Sequence, residues 1–370
     1  MESCLLHCHI NTYFVAHRWH NGNSKHKKQK MTKRLIISVA VVALVLTGRW
    51  TSAQETPSGK PAHCAELERD LFIDLKEVVK AGCTPSKEQI ANLLNNPLGN
   101  LMFIPFQYDY ITVKVPHISD SKAIQRLQIT PTFPISLGRD WNLINRVVFP
   151  FLSVPFNKGF GDCIGMAPGG ILSCPSLPGA LRDPFQHTTG FGDLTYVGVV
   201  TPKETTKIES TGGVFLWGVG TTVMFPTASE KILGTGKYSL GPTGVLAYLG
   251  REWTVGIFPQ HWWSVGGDSG RSNVNYTNIQ YFLNYAPPGW DSDAAWRFGM
   301  SPNITINWTA KGEKVTLPIG LGVSRMVEIF KLPVSVQSEV DYAVIHPDDK
   351  AASRWDARLV LTVVLPTFLF

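Results

Sequence analysis

The stretch WRFGMSPNITINWT, Trp296–Thr309, contains two alternating sets of side chains. The first set is apolar and consists of Trp296, Phe298, Met300, Pro302, Ile304, Ile306 and Trp308. The second set is small, polar or charged and consists of Arg297, Gly299, Ser301, Asn303, Thr305, Asn307 and Thr309. Because successive side chains of a strand point to opposite faces, the stretch predicts a β-strand with one apolar and one polar face. The apolar face begins and ends with tryptophan, which is common at membrane–water interfaces.

The same pattern recurs through the rest of the chain and predicts about twelve strands. We place them at 100–112, 124–137, 142–155, 191–201, 212–226, 238–249, 252–265, 274–286, 296–309, 314–325, 332–345 and 357–370. A tilted strand of about ten residues is long enough to cross a bilayer. We therefore predict an all-β fold, a transmembrane antiparallel β-barrel that occupies residues 99–370.

The lengths of the links between these strands support a barrel. In outer-membrane barrels short periplasmic turns alternate with longer extracellular loops. Short links follow strands 2, 6 and 10, and longer links rich in Gly, Asp and Ser follow strands 3, 5, 7 and 11, the longest being 157–190. Three links do not fit the alternation, because those after strands 4 and 8 are long and that after strand 9 is short, but most links agree with it.

The amino-terminal region predicts export. Mean hydropathy is +0.02 and charged residues make up 17 % of the chain, so a helical membrane protein is excluded. The one long apolar run, Leu35–Leu46, follows Lys33-Arg34 and precedes the small residues Thr51–Ala53, as in a secretory signal peptide. We interpret residues 31–53 as the signal peptide and residues 1–30 as an over-extended leader.

The net charge of +6 arises from residues 1–53, the leader and the signal peptide together. The first 53 residues contain eight Lys or Arg and one acid, which leaves 26 basic and 27 acidic residues in the remainder. A basic surface for nucleic acid is therefore not expected.

Residues 54–98 predict a periplasmic helical segment. Leu67, Leu71, Leu75 and Val78 recur at helical spacing, and Ser86-x-x-Gln89 is a capping box. Four cysteines follow the leader in two local pairs, which suggests the disulfides Cys64–Cys83 and Cys163–Cys174 in an oxidising compartment. Free or metal-bound thiols are the alternative.

The carboxyl terminus and several short motifs resemble a known family. The last strand ends in Phe370, with Phe368 two residues earlier, and this resembles the assembly signal of bacterial outer-membrane barrels. Together with Asn96–Asn100, Gly190–Asp193 and Gly236–Pro242, it makes residues 90–370 similar to the outer-membrane family named for a MetA pathway of phenol degradation, whose members are sometimes labelled neuromedin U. The resemblance implies a channel in the cell outer membrane for small aromatic or apolar solutes. Outer-membrane lipid and the barrel-assembly machinery are the partners it implies.

Several charged or polar side chains are candidates for the pore lining. They are Asp109, Arg126, Asp193, Glu252, Arg297, Asn303, Thr305, Glu339, Asp341 and Arg358. Charges of mixed sign on an inner wall can pair and fill a small barrel, or they can select the solute. The sequence leaves both interpretations open.

The resulting functional hypothesis is passive uptake of small, aromatic or hydrophobic solutes, without catalytic residues, cofactor or metal. One alternative is a membrane-embedded hydrolase of the phospholipase type, and another is a structural or adhesive surface barrel. His261 and Ser264 are the obvious candidates for a hydrolase. Residues three apart on a strand point to opposite faces, so these two cannot form a catalytic pair within their strand.

Overall fold

The computed structural model describes residues 61–73, 75–94, 96, 98, 101–116, 120–163, 174–289, 295–330 and 332–365. The predicted leader, the signal peptide and the assembly signal at Phe368 and Phe370 lie outside these residues. Within them the backbone is almost entirely β-structure, accompanied by five short α-helices and one 3₁₀ turn.

The described residues form sixteen strands. Their bounds are β1 Met102–Lys114, β2 Lys122–Ile129, β3 Thr132–Leu137, β4 Trp141–Val154, β5 Thr188–Phe191, β6 Leu194–Pro202, β7 Thr206–Ile208, β8 Gly213–Phe225, β9 Lys237–Leu249, β10 Trp253–Gly267, β11 Asn275–Tyr285, β12 Arg297–Met300, β13 Asn303–Asn307, β14 Val315–Ile329, β15 Leu332–Ile345 and β16 Ala352–Leu365.

These strands close into a single antiparallel barrel. Strands that are neighbours in the wall pair antiparallel, and β16 pairs with β1, so that Leu365 lies opposite Met102 and Arg358 opposite Asp109. Three positions in the wall are built from interrupted strands, namely β2 with β3, β5 with β6 and β7, and β12 with β13. The wall therefore has twelve strand positions, as the sequence predicts.

The two ends of the barrel differ in the length of their links. We call the end with links 138–140, 209–212, 250–252, 286–296 and 330–331 the turn end, and the opposite end, with links 115–121, 155–187, 226–236, 268–274, 308–314 and 346–351, the loop end. One sequence expectation is wrong here, because β7 continues the fourth wall position alongside β8 and leaves a short turn. The link after the eighth position is long, as expected.

The stretch Trp296–Thr309 forms two strands rather than the single strand expected. The break lies at Ser301-Pro302, where proline has no N–H to give to the sheet. The predicted faces hold on both sides of the break. Thr305 and Asn307 are buried inside the barrel, whereas Trp308 on the opposite face is 48 % exposed.

The outer surface of the barrel is apolar. Exposed wall side chains include Phe149, Val219, Leu246, Ile257, Leu321 and Val340. Aromatic contacts mark both ends, with Trp253–Tyr285 at the turn end and Tyr342–Trp355 at the loop end. A closed barrel with an apolar belt and aromatic rims is the β-structure that satisfies its backbone in lipid. The chain is accordingly an outer-membrane β-barrel.

A helical segment fills the interior at the turn end. It consists of α1 Ala62–Glu68, α2 Leu75–Lys80 and α3 Lys87–Leu94, with the disulfide Cys64–Cys83 joining its parts. Its apolar side chains pack on inward-facing wall residues, including Phe103 and Val364. We call residues 61–98 the inner segment.

Hydrogen bonds give the inner segment a defined shape. The predicted capping box is present, because the Ser86 hydroxyl accepts from Gln89 N at 3.1 Å and Gln89 Oε1 accepts from Ser86 N at 2.9 Å. Buried Gln89 and Asn92 donate to the carbonyls of the α1–α2 connection, for example from Asn92 Nδ2 to Leu71 O at 3.0 Å. These bonds tie α3 to the rest of the segment.

The loop end is covered by folded loops. The link after β4 contains α4 Gly159–Cys163 and α5 Leu177–Arg182, and the disulfide Cys163–Cys174 joins its two parts. These helices pack with Ile232 and Leu233 of the 3₁₀ turn Lys231–Leu233 in one apolar cluster that also includes inward-facing wall residues. Both disulfides are the pairs that the sequence predicts.

Candidate functional site

A network of charged side chains lines one side of the interior, where β1, β2, β15 and β16 meet. Asp109 is fully buried and accepts hydrogen bonds from Arg126 Nε at 2.8 Å and from Arg358 Nε at 3.0 Å. Gln107 Nε2 donates to the same carboxylate at 2.9 and 3.0 Å. A buried carboxylate needs a paired charge and hydrogen bonds to its lone pairs. Asp109 has both.

Arg358 extends this network to three more carboxylates. Its Nη atoms lie 3.8 Å from Glu339, 3.5 Å from Asp341 and 3.4 Å from Asp356. We call these four acids, with Arg126 and Arg358, the acidic wall. Carboxylates outnumber guanidinium groups in it, so this side of the interior has an electrostatic preference for cations and hydrogen-bond donors.

The break in the strand at Ser301-Pro302 places hydrogen-bonding groups of Ser301 beside the acidic wall. Ser301 N donates to Glu339 Oε1 at 2.7 Å and its hydroxyl donates to Oε2 at 2.9 Å. Arg358 Nη1 donates to the carbonyl of Ser301 at 3.2 Å. The interruption therefore turns backbone groups of the wall into partners for buried charges, which a continuous strand would have kept in its ladder.

The opposite side of the interior carries a different cation, Arg146 on β4. Its Cζ lies 5.7 Å from the centre of the Phe258 ring, within the range of a cation–π contact. Among the described residues no carboxylate forms a salt bridge with it and no side chain or carbonyl accepts a hydrogen bond from it. Arg146 thus differs from Arg126 and Arg358, each of which forms a salt bridge with Asp109.

Two cavities occupy the interior between the covered ends. The upper cavity, about 210 Å³, lies toward the loop end and is lined mainly by polar side chains such as Gln128, Asn303 and Thr305. The lower cavity, about 200 Å³, lies against Leu94 and Leu98 of the inner segment. Arg146 and Gln280 line both cavities, so they mark the level at which the cavities meet.

The structure distributes the sequence-predicted pore residues among four environments. Arg126, Asp193, Asn303, Thr305 and Asp341 line the upper cavity, and Asp109 and Glu339 are buried in the acidic wall. Arg297 is buried beside the inner segment, with its Nη2 donating to Asn92 Oδ1 at 3.4 Å. Glu252 does not face the interior, because it lies in the exposed turn between β9 and β10.

Asp193 holds a loop rather than standing free in the cavity. Its carboxylate accepts hydrogen bonds from Thr235 N at 2.6 Å, from the Thr235 hydroxyl at 2.8 Å and from Ala228 N at 3.2 Å. This fixes the link 226–236 over the upper cavity.

Near the outer surface of the same cover, a hydrogen bond from Ser176 and a salt bridge to Lys231 hold the pKa of Asp162 below its usual range.

Sequence reasoning missed Arg146, Gln128 and Gln280 as interior residues. A signal for Arg146 was present, because it is the single charged residue of β4, WNLINRVVFPFLSV, and it shares a face with Asn142 rather than with exposed Phe149. The sheet register then determines which residues it meets across the barrel, and strand periodicity carries no such information.

Two serine–histidine pairs bear on the hydrolase alternative. His261 and Ser264 do not meet, since His261 Nδ1 contacts the Thr277 hydroxyl at 2.6 Å and Ser264 Oγ accepts from Val274 N at 3.1 Å. A different pair, Ser153 Oγ and His187 Nδ1, lies 3.1 Å apart. In the part of the chain that the structure describes, no carboxylate or amide orients His187, as a catalytic histidine requires.

Comparisons with known protein sequences give no family. No protein-family model matches the sequence, and no curated protein sequence matches it. The resemblance to the phenol-degradation family therefore stays a prediction. Among the described residues, none of the helices is both long enough and apolar enough to cross a membrane.

Solved structures with a similar fold are outer-membrane barrels. An outer-membrane channel from Pseudomonas putida F1 has a TM-score of 0.48 and 15 % identity, over 72 % of this chain and 96 % of that chain. The NanC porin has a TM-score of 0.40 and 10 % identity, over 71 % and 100 %. Outer-membrane phospholipase A from Escherichia coli has a TM-score of 0.37 and 13 % identity, over 77 % and 100 %. TM-scores below 0.5 and identities of 15 % or less carry no conclusion about this chain.

Proposed function

We propose that this barrel is a passive outer-membrane channel for small solutes, including aromatic or hydrophobic ones. The observation that supports this most directly is the pair of stacked cavities inside the wall, which meet at Arg146 and Gln280. A barrel with a purely structural or adhesive role has no need of such a space. The acidic wall is the part of the interior that is filled with paired charge.

Described residues cover the interior at both ends, so transport requires one cover to move. The inner segment contacts the lower cavity through Leu94 and Leu98, and folded loops cover the upper cavity. We assign the turn end to the periplasm, because short turns are periplasmic in outer-membrane barrels. The inner segment then lies on the periplasmic side and acts as the gate.

The size and lining of the cavities favour small solutes. Each has a volume near 200 Å³, below the 300–1,000 Å³ of sites for drug-sized ligands. The upper cavity offers amides, hydroxyls and charges, and the lower cavity offers aliphatic and aromatic side chains together with amides and hydroxyls. A small molecule with both a polar and an apolar part fits this sequence of environments better than a sugar or an ion does.

The Ser153–His187 contact gives the second candidate function, hydrolysis of lipid at the outer surface. The Thr189 hydroxyl also donates to Ser153 Oγ at 3.0 Å, which weakens that oxygen as a nucleophile. Assay of phospholipid and p-nitrophenyl ester hydrolysis by the purified barrel distinguishes the two functions. Turnover that is lost in Ser153→Ala would replace the channel proposal by the enzyme.

Uptake into liposomes tests the channel itself. Liposomes that contain the purified full chain should swell in isotonic solutions of small aromatic alcohols and acids faster than protein-free liposomes do. Swelling should fall for solutes larger than the cavities, such as trisaccharides. Rates equal to those of protein-free liposomes for every solute would refute the proposal.

A further inference from the structure

The Arg146 guanidinium lies unpaired at the level where the two cavities meet. It is surrounded by protein and opens to both cavities, and the described residues supply it with no counter-ion. A guanidinium group is always charged and presents five N–H donors. A cation that lines an interior cavity without a protein acceptor has its donors available to a solute that brings acceptors of its own.

Arg126 and Arg358 are a natural comparison. Arg126 and Arg358 both donate to Asp109, and Arg358 also reaches three further carboxylates. Both arginines are therefore paired with carboxylates of the wall. Arg146 has no carboxylate partner among the described residues, so its donors are available to a solute in the lumen. Arg146 is also positively charged, whereas the acidic wall has more carboxylates than guanidinium groups.

Apolar and polar side chains both line the lower cavity beside Arg146, the polar ones including Thr132, Asn284, Ser301, Ser324 and Gln337. Its lining includes Phe103, Ile144, Val197, Val199, Val245, Phe258 and Phe282, with Leu94 and Leu98 of the inner segment closing it toward the turn end. Phe258 contacts both this space and the guanidinium. Ile144, Val197, Val199, Val245 and Phe258 belong to one apolar cluster. An occupant that meets Arg146 with one end can therefore place the rest of its body against this cluster.

We propose that Arg146 binds the carboxylate of a small aromatic or branched aliphatic monocarboxylic acid whose apolar body occupies the lower cavity. This inference rests on the proposed channel function and names the class of solute that the lumen selects. Arg146 pairs with the carboxylate in the planar, two-donor geometry that guanidinium groups favour. Phe258 and the aliphatic wall remove the ring or branched chain from water.

Benzoate and its neutral isostere benzamide test the proposal on the wild-type chain. Titration calorimetry with the purified full-length protein in detergent should detect benzoate binding and at least about tenfold weaker binding of benzamide, because a charge-assisted hydrogen bond is lost. Equal affinities for the two probes, or no benzoate binding up to millimolar concentration, would overturn the proposal. This comparison needs no variant, so it decides the question even where a substitution impairs assembly.

Variants then assign the site to Arg146. Arg146→Gln should weaken benzoate binding at least about tenfold and leave benzamide binding unchanged, and Arg146→Lys should retain part of the benzoate affinity. Arg139→Gln, in the exposed turn 138–140, is the matched control because it removes the same charge outside the lumen. Benzoate binding that is equal in wild type and Arg146→Gln would contradict the assignment.

The binding site and the channel can fail separately. Liposome uptake without Arg146-dependent benzoate binding would retain the channel and remove the site. Arg146-dependent binding without uptake of any solute would retain the site and remove the channel. The two measurements use the same purified protein.

Discussion

Leu321→Arg tests the assignment of inner and outer faces most sharply. Leu321 lies near the middle of β14 and is 73 % exposed on the apolar outer surface. An arginine at the midplane of a barrel's lipid face costs about 2–4 kcal/mol, a large fraction of the 5–15 kcal/mol that stabilises a typical protein. We expect the variant to assemble poorly into vesicles and to unfold at clearly lower denaturant concentration.

Thr305→Arg is the matched substitution on the inner face. Thr305 is buried on β13 and lines the polar upper cavity, so an arginine there meets acceptors and Asp341 rather than lipid. This variant should assemble nearly as well as wild type, as judged by heat-modifiable migration on gels. Equal assembly of the Leu321 and Thr305 variants would refute the assignment of the lipid and lumen faces.

Three further substitutions follow from the contacts of the interior and the covers. Arg358→Met leaves Asp109 and its neighbours with one guanidinium, and breaking a buried pair costs about 3–5 kcal/mol, which denaturant titration in vesicles should detect. Cys64→Ser with Cys83→Ser opens the inner segment and removes about 3 kcal/mol from the stability of that segment, so trypsin should cleave it faster while the barrel stays intact. The lowered pKa of Asp162 means that its contribution to the loop cover is present above the unfolded-state pKa and is lost as pH falls through the folded-state pKa. Loop proteolysis should therefore rise in acid in wild type and should depend less on pH in Asp162→Asn.

Strand periodicity in the sequence predicted most of the fold. Alternation along Val315–Val323 and Val334–Val344 separates residues that the structure places outside from those it places inside. It did not show where strands break, since Ser301-Pro302 preserves the alternation while it interrupts the ladder. It also did not show that β7 extends the fourth wall position, because Thr206–Ile208 is too short to display a period.

The interior was predicted only in part because it depends on partners across the barrel. Asp109 and Arg358 are 249 residues apart and meet only when β16 closes on β1. Gly320 is needed there for the same reason, since a Cβ at this position would collide with the Asp341 carboxylate opposite it. Glu252 was misplaced because β10 begins at Trp253, one residue later than the sequence pattern suggested.

Single-channel recording that compares the wild-type full chain with the Leu98→Asp variant tests most directly whether solutes pass through the interior and whether the inner segment gates it. Leu98, at the end of the inner segment, is buried against the apolar wall, so a carboxylate there should weaken the contact that closes the lower cavity. Leu181→Asp, at an exposed leucine of the loop-end helix α5, is the control. We predict rare, small openings in wild type and in the control, and more frequent or larger openings in Leu98→Asp. Absence of any current in all three proteins, with each assembled in the bilayer, would contradict the channel.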